Sequence, residues 1–327
     1  MENYPHSPDQ NPGGKQHEPD WERQTLEKLA FAALQEQKAR RRWGIFFKSL
    51  AFLYVLGAFL AMANWDDSGS PEGKHTALVH VQGVIEPKGE ASAEKVVSAL
   101  QSAFQDKNAV GIVLRINSPG GSPVQAGIIN DEIRRLRQKH GDKPLYAVID
   151  DMCASGGYYV AVAAERIYVN KASMVGSIGV LMNGFGFTGT MDKLGVERRL
   201  LTSGDNKGFL DPFTPTDPVH KAHAEQLLAE IHQQFIAAVR EGRGKRLKET
   251  PETFSGLVWT GTQSIQLGLA DDYGTLDSVA RDVFKAEKIL DYSVKDNIAE
   301  RVAKRLGAST MAAFWTGFGD TFGLRLH

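Results

Sequence analysis

Residues Asp151–Tyr159 read DMCASGGYY and stand between two runs of different character. Before them, Leu145–Ile149 (LYAVI) is a short apolar run of strand type. From Gly156 to Ala164 the run GGYYVAVAA suggests a helix. A strand, a serine and a glycine-opened helix put Ser155 at a helix N-terminus. Backbone N–H groups lack partners there and carry partial positive charge. Such an end suits an oxyanion, because charge develops on a carbonyl oxygen when a serine attacks it. The two glycines leave room for a substrate backbone. Serine is also a favoured N-cap, so the nucleophile and cap readings both stand at this point.

Outward from this stretch, strand and helix patterns alternate. Ala77–Ile85 (ALVHVQGVI), Val110–Ile116 (VGIVLRI) and Arg166–Val169 read as strands, while Ser92–Phe104 and Pro123–Lys139 have helical spacing. Repeated β-α-β units of this length predict a largely parallel sheet with helices packed outside. Glu197–Leu201 is also strand-like. A long helix is expected over Asp217–Glu241, with Gly242 as its stop, and a helix-turn pattern over Thr262–Val283. Two further glycine-rich segments follow strand-like runs: Asn117–Gly121 (NSPGG) and Val175–Val180 (VGSIGV). Each alone is an ordinary turn. Functional groups gather at the carboxyl ends of parallel strands, and three such segments together mark a candidate site.

A nucleophilic serine needs a base. No histidine lies between His140 and His220; His140 sits in a polar loop, and His220, His223 and His232 punctuate the long helix as exposed or core residues. A lysine serves instead when burial disfavours its ammonium form. The downstream candidates are Lys171, Lys193 and Lys207. Lys207 lies in the turn-rich TSGDNKG of residues 202–208, where a solvated loop lysine is the plain alternative.

INSPGG, CASGGYYVA, VGSIGV and TSGDNKG, in that order, resemble the signal peptide peptidase A (protease IV) family of membrane-anchored serine proteases, over roughly residues 76–290. The resemblance is to its short form, with one catalytic unit per chain. It implies an α/β fold, a crotonase- and Clp-protease-like spiral of β-β-α units. It also implies a Ser-Lys dyad, with Ser155 as nucleophile and Lys207 as general base. Ser177 would orient the lysine amine, and the amides of Gly121 and Gly156 would form the oxyanion hole. Similar enzymes assemble as rings whose neighbouring protomers complete each site, and they degrade remnant signal peptides and other apolar peptides. Ser155 and Lys207 of one chain need not then pair with each other. No cofactor is implied, and no metal-binding set stands out.

Location is read from the N-terminal region. Residues 1–24 are polar and rich in proline and glycine, with too little apolar surface to offset ordering entropy. Residues 25–42 read as a short helix ending in Lys38, Arg40, Arg41 and Arg42. Trp43–Trp65 is mainly apolar with Lys48 its only charge; as a helix it would be ~34 Å long, enough for a bilayer core of about 30 Å. Basic residues before the span and Asp66 and Asp67 after it place residues 1–42 in the cytoplasm by the positive-inside rule. The expected organisation is a cytoplasmic leader (1–42), a transmembrane helix (43–65) and a linker (66–75). A serine peptidase domain (76–307) on the periplasmic side of the inner membrane and an aromatic tail (308–327) follow. The single cysteine, Cys153, excludes an intramolecular disulfide, and a net charge of -1 removes a wholesale electrostatic case for nucleic acid.

Three other readings remain at this level. A membrane-anchored scaffold could keep an inactive or regulatory protease fold, and a crotonase-like acyl-CoA enzyme would share the fold but rely on carboxylates. The third reading makes Cys153, two residues from Ser155, the nucleophile, against the simpler reading of a small buried thiol. The tail residues Phe314, Trp315, Phe318, Phe322 and Leu324 suit a hydrophobic groove of the assembly, the membrane, an active site or plain packing on the domain.

Overall fold

A computed structural model describes residues 20–63 and 73–294 of the 327. The chain divides into two compact units after Pro71. The leader up to residue 19, most of the expected linker and the aromatic tail lie outside the described residues.

The first unit contributes one helix, α1 (Asp20–Ala63), of 44 residues. Two segments read separately from sequence are thus continuous, and the helix begins earlier than expected. Leu, Ala, Glu, Gln, Lys and Arg dominate residues 26–42, all good helix formers, and no proline interrupts them. Its described side chains are exposed, including Trp43, Phe46, Phe47, Leu50 and Leu53. The expected span 43–65 runs beyond the described residues. Among the described residues no helix is long and apolar enough to cross a membrane.

The second unit is a mixed α/β sheet. At its centre β1 (His75–Gln82), β2 (Ala109–Ser118) and β3 (Leu145–Ala154) run parallel, joined by the crossover helices α2 (Ala93–Gln105) and α3 (Pro123–Lys139). Strand alternation sends Val79, Val81, Leu114, Ile116 and Ile149 to one face, where Val96, Leu100, Phe104, Ile129 and Ile133 cover them. Leu78, Val113 and Val148 form a smaller core on the other face, under Leu276, Val279 and Phe284. Helix α3 starts cleanly, with Pro123 in its first turn and the Ser122 hydroxyl accepting from the Gln125 N–H.

Strand β3 then forks. Its first half pairs with β4 (Arg166–Val169), starting at Tyr146 opposite Arg166. Its last residues pair with β5 (Met174–Gly176), with Met152, Cys153 and Ala154 opposite Met174, Val175 and Gly176. β6 (Val258–Thr260) runs antiparallel to β5, β7 (Asp272–Tyr273) pairs with β4, and β8 (Ile289–Asp291) closes the far edge beside β1. The remaining helices are α4 (Gly156–Ala161), α5 (Thr188–Leu194), α6 (Pro218–Arg243), α7 (Gly261–Gln266) and α8 (Leu276–Ser278).

Three local expectations are corrected. β1 stops at Gln82, because Gly83 turns the chain at φ 81°, and Ile85 makes an isolated bridge to Gly121 instead. Glu197–Leu201 is not a strand: its side chains are exposed, and no neighbouring strand takes up its backbone groups among the described residues. Gly242 is not a helix stop. It lies inside α6, where a Cβ would stand 2.0 Å from the Val162 carbonyl oxygen, so the glycine allows helix and loop to touch. The stop is Gly244, at φ 53°.

Candidate active site

β5, β3 and β2 are neighbours in the sheet, so the glycine-rich loops at their carboxyl ends meet. Ser155 occupies the N-cap position of α4 with φ 52° and ψ -124°, and its side chain makes no capping bond among the described residues. That separates the two sequence readings, since a serine kept as a cap would hold an N–H of the first turn. The left-handed backbone costs a residue with a Cβ about 1–3 kcal/mol. It is held from both sides: the Ser155 N–H donates to the Gly176 carbonyl at 2.8 Å, and its carbonyl accepts from Tyr159 at 3.0 Å. The result is a half-buried hydroxyl at a sharp strand-to-helix turn.

The Asn117–Gly121 loop packs directly against this turn. A Cβ on Gly120 would stand 2.7 Å from the Ser155 Cβ and 2.7 Å from the Gly156 nitrogen, so no larger residue fits. Ser118, fully buried, shapes the loop: its hydroxyl donates to the Gly83 carbonyl at 2.6 Å and accepts from the Gly120 N–H at 3.1 Å. The bridge to Ile85 uses the Gly120 carbonyl and the Ser122 N–H. It leaves the Gly121 N–H without a partner among the described residues. Gly156 opens α4, where N–H groups have no partner inside the helix.

The third wall comes from the loop after β5. Ser177 is also left-handed, at φ 53°. Its N–H donates to the Leu257 carbonyl at 2.7 Å, and the Gly179 N–H donates back to the Ser177 carbonyl at 2.9 Å. Opposite stands α6, offering Ile231, Gln234 and Phe235. Together these walls enclose a cavity of about 580 Å³ that contains Ser155, Gly121, Gly156 and Ser177 in its lining. No charged side chain lines it among the described residues. The Phe235 ring lies tilted at 49° to the Tyr159 ring with centroids 5.1 Å apart, and burial foremost, with Asp131, pushes the Tyr159 phenol up, so it stays neutral. Among the described residues no cluster of three or more histidine, cysteine or carboxylate side chains is placed to hold a metal ion.

Lys207 stands apart. It is exposed, in a turn whose N–H donates to the Gly204 carbonyl, and it does not line the Ser155 cavity. The segment between the two carries bare apolar side chains, Leu201 at 96 % exposure and Leu181 at 82 %. Cys153 points into the core beneath Ser155, fully buried, and burial pushes its thiol well up, away from reactivity. His140 caps α3 beside Phe104 and does not line the Ser155 cavity. The α6 contribution was missed from sequence. Its signal was the Ile231 and Phe235 pair, four residues apart on one helix face.

A family model described as peptidase family S49 matches residues 137–290, a stretch that holds Ser155, Ser177 and Lys207. A protein of Brucella abortus (strain 2308) named Na(+)/H(+) antiporter NhaA is 42% identical over 193 residues, 59% of this chain but 26% of that protein. Protease 4 of Haemophilus influenzae is 28% identical over 221 residues, 65% of this chain and 34% of its own length. The chloroplastic serine protease SPPA of Arabidopsis thaliana is 29% identical over 202 residues, 61% and 29%. The chain thus spans about a quarter to a third of the length of these relatives, and the antiporter name belongs to a protein most of which lies outside the match.

Proposed function

Because the chain belongs to the signal peptide peptidase A family, within peptidase family S49, a family of serine-type peptidases, we propose that it is a membrane-anchored endopeptidase using Ser155 as nucleophile. One observation carries the reading. Ser155 is held at a left-handed turn with its hydroxyl uncommitted to capping, inside a cavity that also holds Gly121 and Gly156. In the proposed reaction the Ser155 oxygen attacks a peptide carbonyl and the Gly121 and Gly156 N–H groups stabilise the oxyanion. A general base takes the Ser155 proton and hands it to the amine as the peptide C–N bond breaks and the first product leaves; the same base then activates the water that releases the acyl group and restores the Ser155 hydroxyl. The uncharged lining favours apolar peptides, remnant signal peptides among them.

Lys207 is the proposed base, with Ser177 orienting its amine. Burial is what frees a lysine to take a proton, and one chain by itself leaves Lys207 exposed and outside the cavity. The reading that fits is a ring in which a neighbouring copy supplies the lysine and buries it. The bare Leu181, Phe185 and Leu201 side chains support such a contact.

The anchor is proposed from α1, whose exposed apolar run from Trp43 to Leu56 follows Arg40, Arg41 and Arg42. By the positive-inside rule that order supports an N-terminus in the cytoplasm and a peptidase domain on the periplasmic side of the inner membrane.

The test uses the full chain in mild detergent, with a fluorophosphonate probe and an apolar fluorogenic peptide. Wild type should be labelled and cleave, whereas Ser155→Ala should do neither. Equal cleavage by Ser155→Ala would reduce Ser155 to a turn residue. An inert, unlabelled but folded wild type would favour the scaffold reading.

A further inference from the structure

We propose that His232 is a positioning residue, holding the Ser177 loop against α6 so that the cavity keeps its reactive shape. The His232 Nε2 lies 3.1 Å from the Ile178 carbonyl oxygen. A carbonyl only accepts, so Nε2 carries the hydrogen and donates. Ile178 sits in the middle of the tight turn closed by the Gly179 N–H on the Ser177 carbonyl, and its side chain is fully buried. The turn is therefore clamped at three points. Ser177 N–H is tied to Leu257 on the β6 side, the Ile178 side chain is anchored in the core, and the Ile178 carbonyl is tied to α6. On the β6 side there is no slack either: a Cβ on Gly179 would stand 3.1 Å from the Gly256 Cα.

Ser177 needs that clamp because its backbone is left-handed, a conformation that a residue with a Cβ keeps only when its surroundings impose it. His232 is flanked on α6 by Ile231, Gln234 and Phe235, which line the cavity opposite Ser155 and Ser177. One hydrogen bond thus sets the spacing between the two walls, the one carrying apolar side chains and the one carrying the reacting groups. His232 itself is not in the cavity lining, so it acts through Ser177 and does not touch substrate. The proposal rests on the reading of Ser155 as the nucleophile.

Three variants of the full chain in detergent test it. His232→Leu keeps the bulk and removes the donor; His232→Gln returns an N–H near the same place; Gln233→Leu, on the exposed side of α6, is the control. Losing one neutral hydrogen bond at a positioned loop should lower kcat about fivefold to tenfold with KM within about twofold. The rate of fluorophosphonate labelling at Ser155 should fall by the same factor. His232→Gln should recover both to within about threefold of wild type, and Gln233→Leu should match wild type. The proposal is overturned if His232→Leu labels and cleaves at the wild-type rate, or if His232→Gln is as slow as His232→Leu when both melt at the wild-type temperature. A wild type that the probe does not label at Ser155 brings down the nucleophile assignment first, and His232 is then an ordinary tether between helix and loop.

Discussion

The amide nitrogen of Gly121 lies 3.3 Å from the point where a Cβ on Gly156 would stand, with the Ala126 Cβ 3.4 Å from the same point. Gly156→Ala therefore inserts a methyl beside the proposed oxyanion donors, with contacts that shifts of a few tenths of an ångström relieve. The expected outcome is a fall in kcat of about 10²-fold with little change in melting temperature. Gly121→Ala should do the reverse kind of damage. Its Cβ would stand 2.2 Å from the Ile85 carbonyl oxygen at a φ of 147°, so destabilisation of about 3 kcal/mol or more is expected. Calorimetry and kcat on the two variants separate these effects, and an unimpaired Gly156→Ala would show that a methyl at this point does not disturb the reacting groups.

Mixing two dead proteins tests where the base comes from. Ser155→Ala and Lys207→Ala are each expected to be inactive. If lysine and serine meet across a head-to-tail ring contact, random mixed rings should regain about a quarter of wild-type activity. Subunits that pair serine and lysine within one chain would regain none. The measurement is peptide cleavage after the two proteins have been dissociated and reassembled together.

Acid should unfold the domain partly through Asp271. Burial alone would raise its carboxyl, but hydrogen bonds and charge from Arg243, with the Ile167 N–H, outweigh burial and hold it below the ordinary 3.8. A carboxyl depressed in the folded state adds stability that is present above its unfolded value. That stability is lost as pH falls through the folded one. Asp271→Asn should accordingly flatten the loss of stability below about pH 4. Arg243→Met, which removes the bidentate partner and leaves the carboxylate with Arg246 and the Ile167 N–H alone, should cost about 3 kcal/mol at neutral pH. Urea melts at pH 7 and pH 3 check both, and an unchanged acid limb in Asp271→Asn would refute the assignment.

Cys153 should be a spectator. Buried and with its thiol pushed up by burial, it should resist iodoacetamide in the native protein and react once denatured. Cys153→Ala should keep most of the activity and lose about 1 kcal/mol of stability. Loss of Ser155 labelling in a well-folded Cys153→Ala would contradict this.

Much of the central sheet was legible because its signals are local. LYAVI, VGIVLRI and the Pro123–Lys139 helix declare themselves by period and by their caps, and three strand-end loops could be grouped from the parallel-sheet rule. What escaped depends on contacts distant in sequence. Gly242 looks like a stop unless Val162, eighty positions earlier, is known to press against it. His232 looks like a helix-surface histidine until the Ile178 carbonyl comes to meet it. Glu197–Leu201 has the composition of a strand but finds no partner strand among the described residues, and pairing is settled by the fold as a whole. The clash-prone closeness of Gly120 to Ser155 was hidden for the same reason, although the PGG motif itself was plain.

The fork in β3 divides one strand between two unequal partnerships. Ala147 and Val148 are bonded into the long β2–β3–β4 ladder at the heart of the sheet, whereas Met152 and Cys153 meet a strand of three residues, β5, on that side. Deuterium should therefore enter the amides around residue 153 well before it enters those around residue 147, since short pairings open more readily than the ladder that sets global stability. The serine end of the strand is thus expected to open while the rest stays shut, a division that would serve the proposed peptidase by admitting a peptide without loosening the body of the protein.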